Sequence, residues 1–317
     1  MFVSTTSAGS PSLDIAVLVP CYNEQQTIAK VITDFNDVLP GCTVYVYDNH
    51  SNDQTAVVAA EAGAIVRYEG RQGKGYVVQR MLADIDADVY VMVDGDDTYE
   101  AAASKVMVDL LVDRQLDMVT GVRESTNHEE AYRRGHVLGN RLFTLLHRRL
   151  FGEGCTDVFS GYRVLSKRFA KTFPATSEGF EIEAEMTAHA LDVGAPMGEV
   201  PCTYIERMEG SESKLRTYRD GTRILFRSML YFKEMRPFRF FAMLSAALSV
   251  VALGLGIPVI VEFADTHTVP RLPTALLAVG LEIIAFMSFM CGIILDSLAR
   301  ARREVKRLAY LRVPRAI

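Results

Sequence analysis

Val89-Tyr90-Val91-Met92-Val93-Asp94-Gly95-Asp96-Asp97 is the stretch that decides the fold. Its first five residues form an uninterrupted apolar run, which reads as a buried strand, and the run stops abruptly at a cluster of carboxylates. In open parallel sheets the ligand crevice lies beyond the carboxyl ends of the strands. An acidic cluster at that position therefore marks a candidate pocket.

Working upstream, the same alternation recurs. Ile15 to Pro20 is a short apolar, β-rich segment, and Thr27, Ile28, Val31, Ile32 and Phe35 after it carry helical spacing. Thr43 to Tyr47 reads as a second strand ending in Asp48-Asn49-His50-Ser51-Asn52-Asp53, with a helix over Gln54 to Ala62. Ala64 to Tyr68 is a third strand, and Gly73 to Ala83 a helix opened by a Gly-Lys-Gly turn. Strand and helix in alternation predict an α/β fold, a mainly parallel sheet covered by helices on both faces. Asp48 and the Asp94 cluster then lie on one rim and share one pocket.

Downstream the composition changes. The 317-residue chain has a net charge of −5, which argues against a nucleic-acid partner. Its basic residues nevertheless collect between Arg207 and Arg315 among very apolar runs. Phe238 to Phe263 and Thr274 to Leu295 are each long enough to cross a ~30 Å hydrocarbon core as a helix. Arg236 and Arg239 precede the first, and Arg300, Arg302, Arg303, Lys306 and Arg307 follow the second, so both ends belong in the cytoplasm by the positive-inside rule. The competing reading is a pair of buried core helices. Glu282, inside the second span, is costly in lipid and points to a partner helix or self-association. Tyr218 to Met235 reads as an amphipathic helix in the headgroup plane, or as a solvated helix on the head. The five cysteines, Cys21, Cys42, Cys155, Cys202 and Cys291, show no zinc spacing and read as reduced, buried thiols. The polar N-terminus lacks the features of a secretory signal.

Several residues could carry chemistry. Asp94 and Asp96, separated by a glycine, can share magnesium or manganese with diphosphate oxygens, although an acidic turn alone is a weak signal. Asp48 suits either a nucleobase N–H or a helix N-terminus. Gly73-Lys74-Gly75 reads as a phosphate cradle or as a plain turn, without the spacing of a P-loop. Ser160-Gly161-Tyr162-Arg163 and the stretch from Arg207 through Ser211, Ser213 and Lys214 look like phosphate ligands, with surface solvation as the alternative. Glu181 and Glu185 share a helical face with Glu183 between them, and three carboxylates so close call for a compensating cation or ligand.

In this order the motifs resemble family 2 glycosyltransferases of the GT-A type, specifically the polyprenyl-phosphate hexosyltransferase group that includes dolichyl-phosphate mannose synthases and GtrB-like glucosyltransferases. Val19-Pro20-Cys21-Tyr22-Asn23-Glu24 is similar to the first-strand motif VPxYNE. The resemblance implies that Pro20, Tyr22 and Glu24 line the nucleoside site, that Asp48 contacts the base, and that Lys74 and Asp94 belong to the nucleotide site. It implies Asp94 and Asp96 as metal ligands. Asp157 with Ser160 to Arg163 is similar to SDxxSGFR, where donor and acceptor meet, Glu181 to Glu185 corresponds to the GFxxxxE helix, and Arg207 with Ser211, Ser213 and Lys214 is similar to RxxGxSK, implied to engage phosphates. Two departures stand out: Asp48-Asn49-His50 replaces Asp-Asp-Gly, and Thr98 stands where mannose synthases often carry a metal-holding Gln.

The expected organisation is a tail over 1–13, a GT-A (Rossmann-like) domain over 14–216, the juxtamembrane helix over 217–237, a transmembrane hairpin over 238–299 and a basic cytoplasmic tail over 300–317. The resemblance implies a hexose moving from a UDP- or GDP-sugar to a polyprenyl phosphate with inversion, on the cytoplasmic side of the plasma or inner membrane. Asp157 would orient the reacting centre, and a Mg2+ or Mn2+ ion on Asp94 and Asp96, with Arg163, Arg207 and Lys214, would stabilise the leaving diphosphate. The rivals are transfer to a hydroxyl of a glycolipid or polysaccharide, and a non-catalytic nucleotide-sugar-binding membrane subunit.

Overall fold

Apolar side chains alternate in two sets along the first and fourth strands, and each set enters a different core. In β1 (Ile15–Cys21) and β4 (Val89–Met92), Val17, Val19, Val89 and Val91 face one cluster, while Ala16, Leu18, Tyr90 and Met92 face the other. Strands apolar on both faces need helices on both faces, as the unbroken runs predict. The computed structural model describes residues 13–125, 156–205, 233 and 236–315.

The remaining strands are β2 (Thr43–Asp48), β3 (Ile65–Tyr68), β5 (Met118–Ser125), β6 (Arg163–Ser166) and β7 (Met197–Tyr204). Among the described residues they form one seven-stranded sheet in the order β3-β2-β1-β4-β6-β5-β7. Six strands run one way and β6 runs against β4 and β5. The sheet is thus mainly parallel, with one reversed strand. β1 pairs with β2 up to Cys21 opposite Asp48, and Val93 N donates to Leu18 O at 3.1 Å, so the ends of β2 and β4 flank that of β1.

Helix α1 (Ile28–Val38) buries Ile28, Val31, Ile32 and Phe35, the i, i+3, i+4, i+7 positions of one stripe. Each such side chain contributes roughly 1.5–3 kcal/mol on burial. It shares its cluster with α4 (Ala102–Asp113), while α2 (Thr55–Glu61) buries Ala59 there. The other face is covered by α3 (Lys74–Asp84), α5 (Lys167–Thr172) and α6 (Ile182–Val193).

The chain divides into two compact units. The first holds the described residues through Ile205 together with those from Lys306 onward, and the second holds those between 213 and 305. In the second, α7 (Pro237–Thr266) and the part of α8 (Leu272–Arg312) up to Val305 expose their apolar side chains, with Val250 71% and Ile260 68% exposed. Exposure of this kind argues against a pair of buried core helices, and both helices are long and apolar enough to cross a membrane. They touch through small residues, Gly256 facing Ala278 and Gly292 facing Phe241. Glu282 finds its partner within the hairpin, accepting from Ser249 Oγ at 3.1 Å.

The second span was expected to end near Leu295, but α8 continues to Arg312. From Ala299 to Arg312 the chain is made largely of good helix formers, and no glycine or proline interrupts it before Pro314. Its end, from Lys306 onward, belongs to the first unit. Tyr310 donates to the buried carboxylate of Asp117, Lys306 pairs with Asp192 at 3.0 Å, and Arg168 Nε donates to Val313 O at 2.7 Å. Arg307 donates to Val193 O and Gly194 O, carbonyls left unpaired at the C-terminus of α6. The expected helix over Tyr218 to Met235 lies outside the described residues apart from Lys233.

Candidate active site at the strand ends

The first strand-end loop is built around Asn49. Its side-chain amide donates to Glu69 O and Arg71 O at 3.1 and 2.8 Å, and its Oδ1 accepts from Gly73 N at 2.7 Å. The departure from Asp-Asp-Gly therefore has a structural use: Asn49 fixes the Gly-Lys-Gly turn against the end of β2. Asp48 is 6% exposed; its Oδ2 accepts from Ser51 N at 3.3 Å. Among the described residues nothing hydrogen-bonds its Oδ1, which leaves a buried acceptor open there.

The second loop follows β4. Thr27 Oγ1 donates to Gly95 O at 2.6 Å, which ties the loop to the start of α1. A Cβ on Gly95 would sit 2.8 Å from Cys21 Sγ, so the glycine between the two aspartates permits close packing. Asp96 is 7% exposed and accepts from Thr98 Oγ1 at 2.6 Å. Thr98, the other departure, therefore fixes a carboxylate.

Lys74 joins these loops to α6. Its ammonium lies 2.5 Å from Asp94 Oδ1 and 2.6 Å from Glu183 Oε1. Burial pulls its pKa down, and Asp94 and then Glu183 more than reverse that, so it ends above the usual lysine value. Burial raises the Glu183 carboxyl, with Lys74 opposing. The turn's glycines are needed for a close backbone approach: Gly73 has φ +144°, and a Cβ on Gly75 would lie 2.0 Å from Ser177 O. Packing thus explains the glycines, and the lysine serves the ion cluster. Of the three carboxylates on the acidic helix, Glu183 turns inward to Lys74, whereas Glu185 accepts from the Thr176 and Ser177 amides at 2.9 and 2.8 Å.

The Asp157–Arg163 segment corrects one expectation. Arg163 is fully buried, and its guanidinium donates to Ser160 O, Val158 O and Thr187 Oγ1 at 3.0, 2.7 and 3.0 Å. It brackets the loop to α6, a place without the solvent access that a phosphate ligand needs. Ser160 is buried too, donating to Gly121 O at 2.6 Å. Tyr99 OH accepts from Gly161 N at 3.1 Å, and burial pushes its pKa up to about 12. A Cβ on Gly161 would fall 2.6 Å from Asp94 Oδ2, so this loop closes directly over Asp94.

Asp157 is held by Arg123 through two parallel bonds, Nε to Oδ2 at 2.7 Å and Nη2 to Oδ1 at 2.8 Å. No local motif marks Arg123, whose partner lies 34 residues away. Its guanidinium also lies over Tyr204, 5.6 Å from the ring centre. Pro20 pairs in register with Tyr47, and Glu24 N donates to Thr55 Oγ1 at 2.8 Å, which sets Pro20, Tyr22 and Glu24 at the end of β1 beside Asp48. Lys74, Asp94 and Gly161 thus form one chain of contacts, and Asn49, the neighbour of Asp48, joins it through Gly73. Arg207, Ser211, Ser213 and Lys214 lie outside the described residues.

No group of three or more metal-ligating side chains occurs among the described residues. Asp94 and Asp96 supply two carboxylates flanking a glycine. That set fits magnesium or manganese, which take one or two carboxylates and complete their shell with water and substrate phosphates.

The mainly parallel sheet, with Asp48 ending β2 and Asp94 and Asp96 just beyond β4, has the GT-A fold of its structural neighbours. Glucosyl-3-phosphoglycerate synthase from Mycobacterium tuberculosis superposes with a TM-score of 0.57 at 20% identity, over 69% of this chain and 80% of that one. The profile of "Glycosyl transferase family 2" matches residues 16–173. Glycosyltransferase AglJ of Haloferax volcanii is 32% identical over 299 residues, 94% of this chain and 98% of that protein. A dolichyl-phosphate hexose transferase of the same organism is 31% identical over 67% of this chain and 90% of its own length. Protein RfbJ of Shigella flexneri is 53% identical over 125 residues, 39% of this chain and 97% of that one. The chain belongs to glycosyl transferase family 2, and it is a glycosyltransferase.

Proposed function

We propose that this protein transfers a hexose from a UDP- or GDP-sugar to a polyprenyl phosphate, with inversion at the anomeric carbon, at the cytoplasmic face of the membrane that its hairpin enters. The observation that supports the reading is the set at the ends of β2 and β4: Asp48, whose Oδ1 has no partner among the described residues and suits a base, and the Lys74–Asp94 ion pair, whose carboxylate suits a diphosphate-bound cation. The name of the dolichyl-phosphate hexose transferase relative supports the acceptor class, and solved glucosyl-3-phosphoglycerate synthase structures holding Mn2+ and UDP-glucose support the donor and the cation.

In this reading Pro20, Tyr22 and Glu24 line the nucleoside, and Asp48 Oδ1 accepts from the base. Asp94 and Asp96 hold a magnesium or manganese ion, which when bound neutralises the leaving diphosphate. Arg207, Ser211, Ser213 and Lys214 bind phosphate oxygens, while Arg163 positions the loop that carries Asp157 and Ser160. An acceptor phosphate oxygen attacks the anomeric carbon as the bond to the diphosphate breaks, and the nucleoside diphosphate leaves with the electron pair. A phosphate monoester has a second pKa of about 6, so the nucleophile is already largely anionic and needs no strong base. Asp157, held rigid by Arg123, orients the reacting centre.

The test offers full-length protein a panel of UDP- and GDP-sugars with magnesium or manganese, beside polyprenyl phosphate or the same lipid without phosphate. Transfer to the phosphorylated lipid alone is the expected result, abolished by a chelator. Undiminished transfer to the lipid alcohol overturns the acceptor assignment.

A further inference from the structure

The Lys74 ammonium is shared between two carboxylates, and one of them has no part in the reading above. Glu183 is 3% exposed, contacts Lys74 through Oε1 at 2.6 Å, and among the described residues has no partner for Oε2. A buried carboxylate satisfied on one oxygen is costly. We propose that Glu183 is a positioning residue that draws the Lys74 ammonium away from Asp94, so that Asp94 is free to take a divalent cation.

The surroundings allow this role and little movement besides. Gly75 N donates to Glu178 O at 3.0 Å, fixing the start of α3 against the chain that leads into α6. Thr187 accepts from Arg163 and donates to Glu183 O at 3.2 Å, which sets the first turn of α6. Gly161 closes the remaining side, where a Cβ would approach Lys74 Nζ to 3.1 Å. Among the described residues the ammonium therefore has two places to rest, on Asp94 or on Glu183. A cation arriving at Asp94 repels it toward Glu183, whose second oxygen can receive it. Without the Glu183 charge the ammonium keeps Asp94 as its anionic partner among the described residues and competes with the cation.

The proposal rests on Asp94 being a cation ligand, and its test separates the two. Full-length protein is titrated with Mn2+ in the presence of UDP or GDP, whichever supports binding in the wild type, and the free ion is counted by electron paramagnetic resonance. Glu183→Gln is expected to weaken Mn2+ binding about tenfold, and the Lys74→Met/Glu183→Gln double variant, which has neither the competing ammonium nor an unpaired charge, to restore it at least to the wild-type level. A purely structural Glu183 gives no restoration, with the double variant as weak as the single one or weaker, and that result overturns the proposal, as does unchanged binding by Glu183→Gln. Asp94→Asn is the control. If it loses Mn2+ while Glu183→Gln does not, the Glu183 role alone fails; if Asp94→Asn binds like the wild type, the cation-ligand reading fails with it. Thermal unfolding confirms that each variant is folded.

Discussion

Arg123 and Asp157 face each other in a two-pronged ion pair, with bonds of 2.7 and 2.8 Å between residues on β5 and in the loop before β6. Two parallel bonds fix the plane of the carboxylate as well as its position. Asp157→Asn keeps the size but replaces one acceptor oxygen with a donor. Its kcat is expected to fall about 100-fold, the order associated with losing an oriented group at a reacting centre. Arg123→Lys keeps the charge but not the fork, and is expected to lower kcat more than it raises the donor KM. Steady-state kinetics with saturating lipid acceptor check both.

The unpaired Oδ1 of Asp48 separates binding from stability. A buried anion without a donor on one oxygen is costly to the fold, so Asp48→Asn should leave the melting temperature unchanged or raise it. Ser51 N holds the remaining oxygen at the Oδ2 position, so the same change turns an NH2 donor toward the nucleobase in place of the proposed acceptor. Nucleoside diphosphate affinity should fall about tenfold, the order of one hydrogen bond to a charged group. Calorimetric titration with UDP and GDP, beside a thermal melt, reads both signs.

How much was legible in the chain depended on whether a residue's partner lay nearby. β1 to β4 are apolar runs ending in polar turns, and their bounds fall within a residue or so of those read from pattern. β5, β6 and β7 escaped notice because Gly121, Gly198 and Pro201 interrupt two of them and Arg163 opens the third. Pro201 is tolerated because β7 ends the sheet order. Arg163 looked like a surface phosphate ligand because composition does not distinguish a solvated arginine from one buried against carbonyls. Motif and strand-end position single out Asp48, Lys74, Asp94 and Asp157, and the crowding of Glu181, Glu183 and Glu185 calls for a cation. That Lys74 supplies it and that Arg123 holds Asp157 is visible only in the fold, because those partners lie far apart in sequence.

Asp117 is 1% exposed and receives hydroxyls from Ser166 at 2.6 Å and from Tyr310 near the end of α8. Arg315 Nη2 adds a cation at 3.7 Å. Tyr310→Phe removes one donor from a buried carboxylate and leaves the ring in place. The expected loss is about 1–3 kcal/mol. At roughly 2–4 °C per kcal/mol for a domain of this size, the melting temperature should drop by several degrees. Asp117→Asn/Tyr310→Phe should lose less than the sum of the single changes, since the two groups share one interaction. Differential scanning fluorimetry of the full chain in detergent decides it.

His189 gives the head a defined acid limit. Its ring is 2% exposed and packs against Phe169 and Phe173, with centroids 5.4 and 5.5 Å away. Neither nitrogen has a hydrogen-bond partner among the described residues. Burial pushes its pKa down to about 4; Lys306 acts in the same direction, and Asp192 and Glu185 oppose. The unfolded chain takes up a proton near pH 6.5 and the folded chain does so only near pH 4, so the stability held above pH 6.5 drains away as the pH falls between those values. The whole effect amounts to about 2–4 kcal/mol. His189→Phe removes the titrating group and both unpaired nitrogens while preserving an aromatic ring in the Phe169–Phe173 cluster. Melting temperatures of wild type and variant, measured from pH 7.5 to 4.5, should diverge steadily below pH 6.5, with the variant falling less; parallel curves would assign the acid sensitivity to other groups.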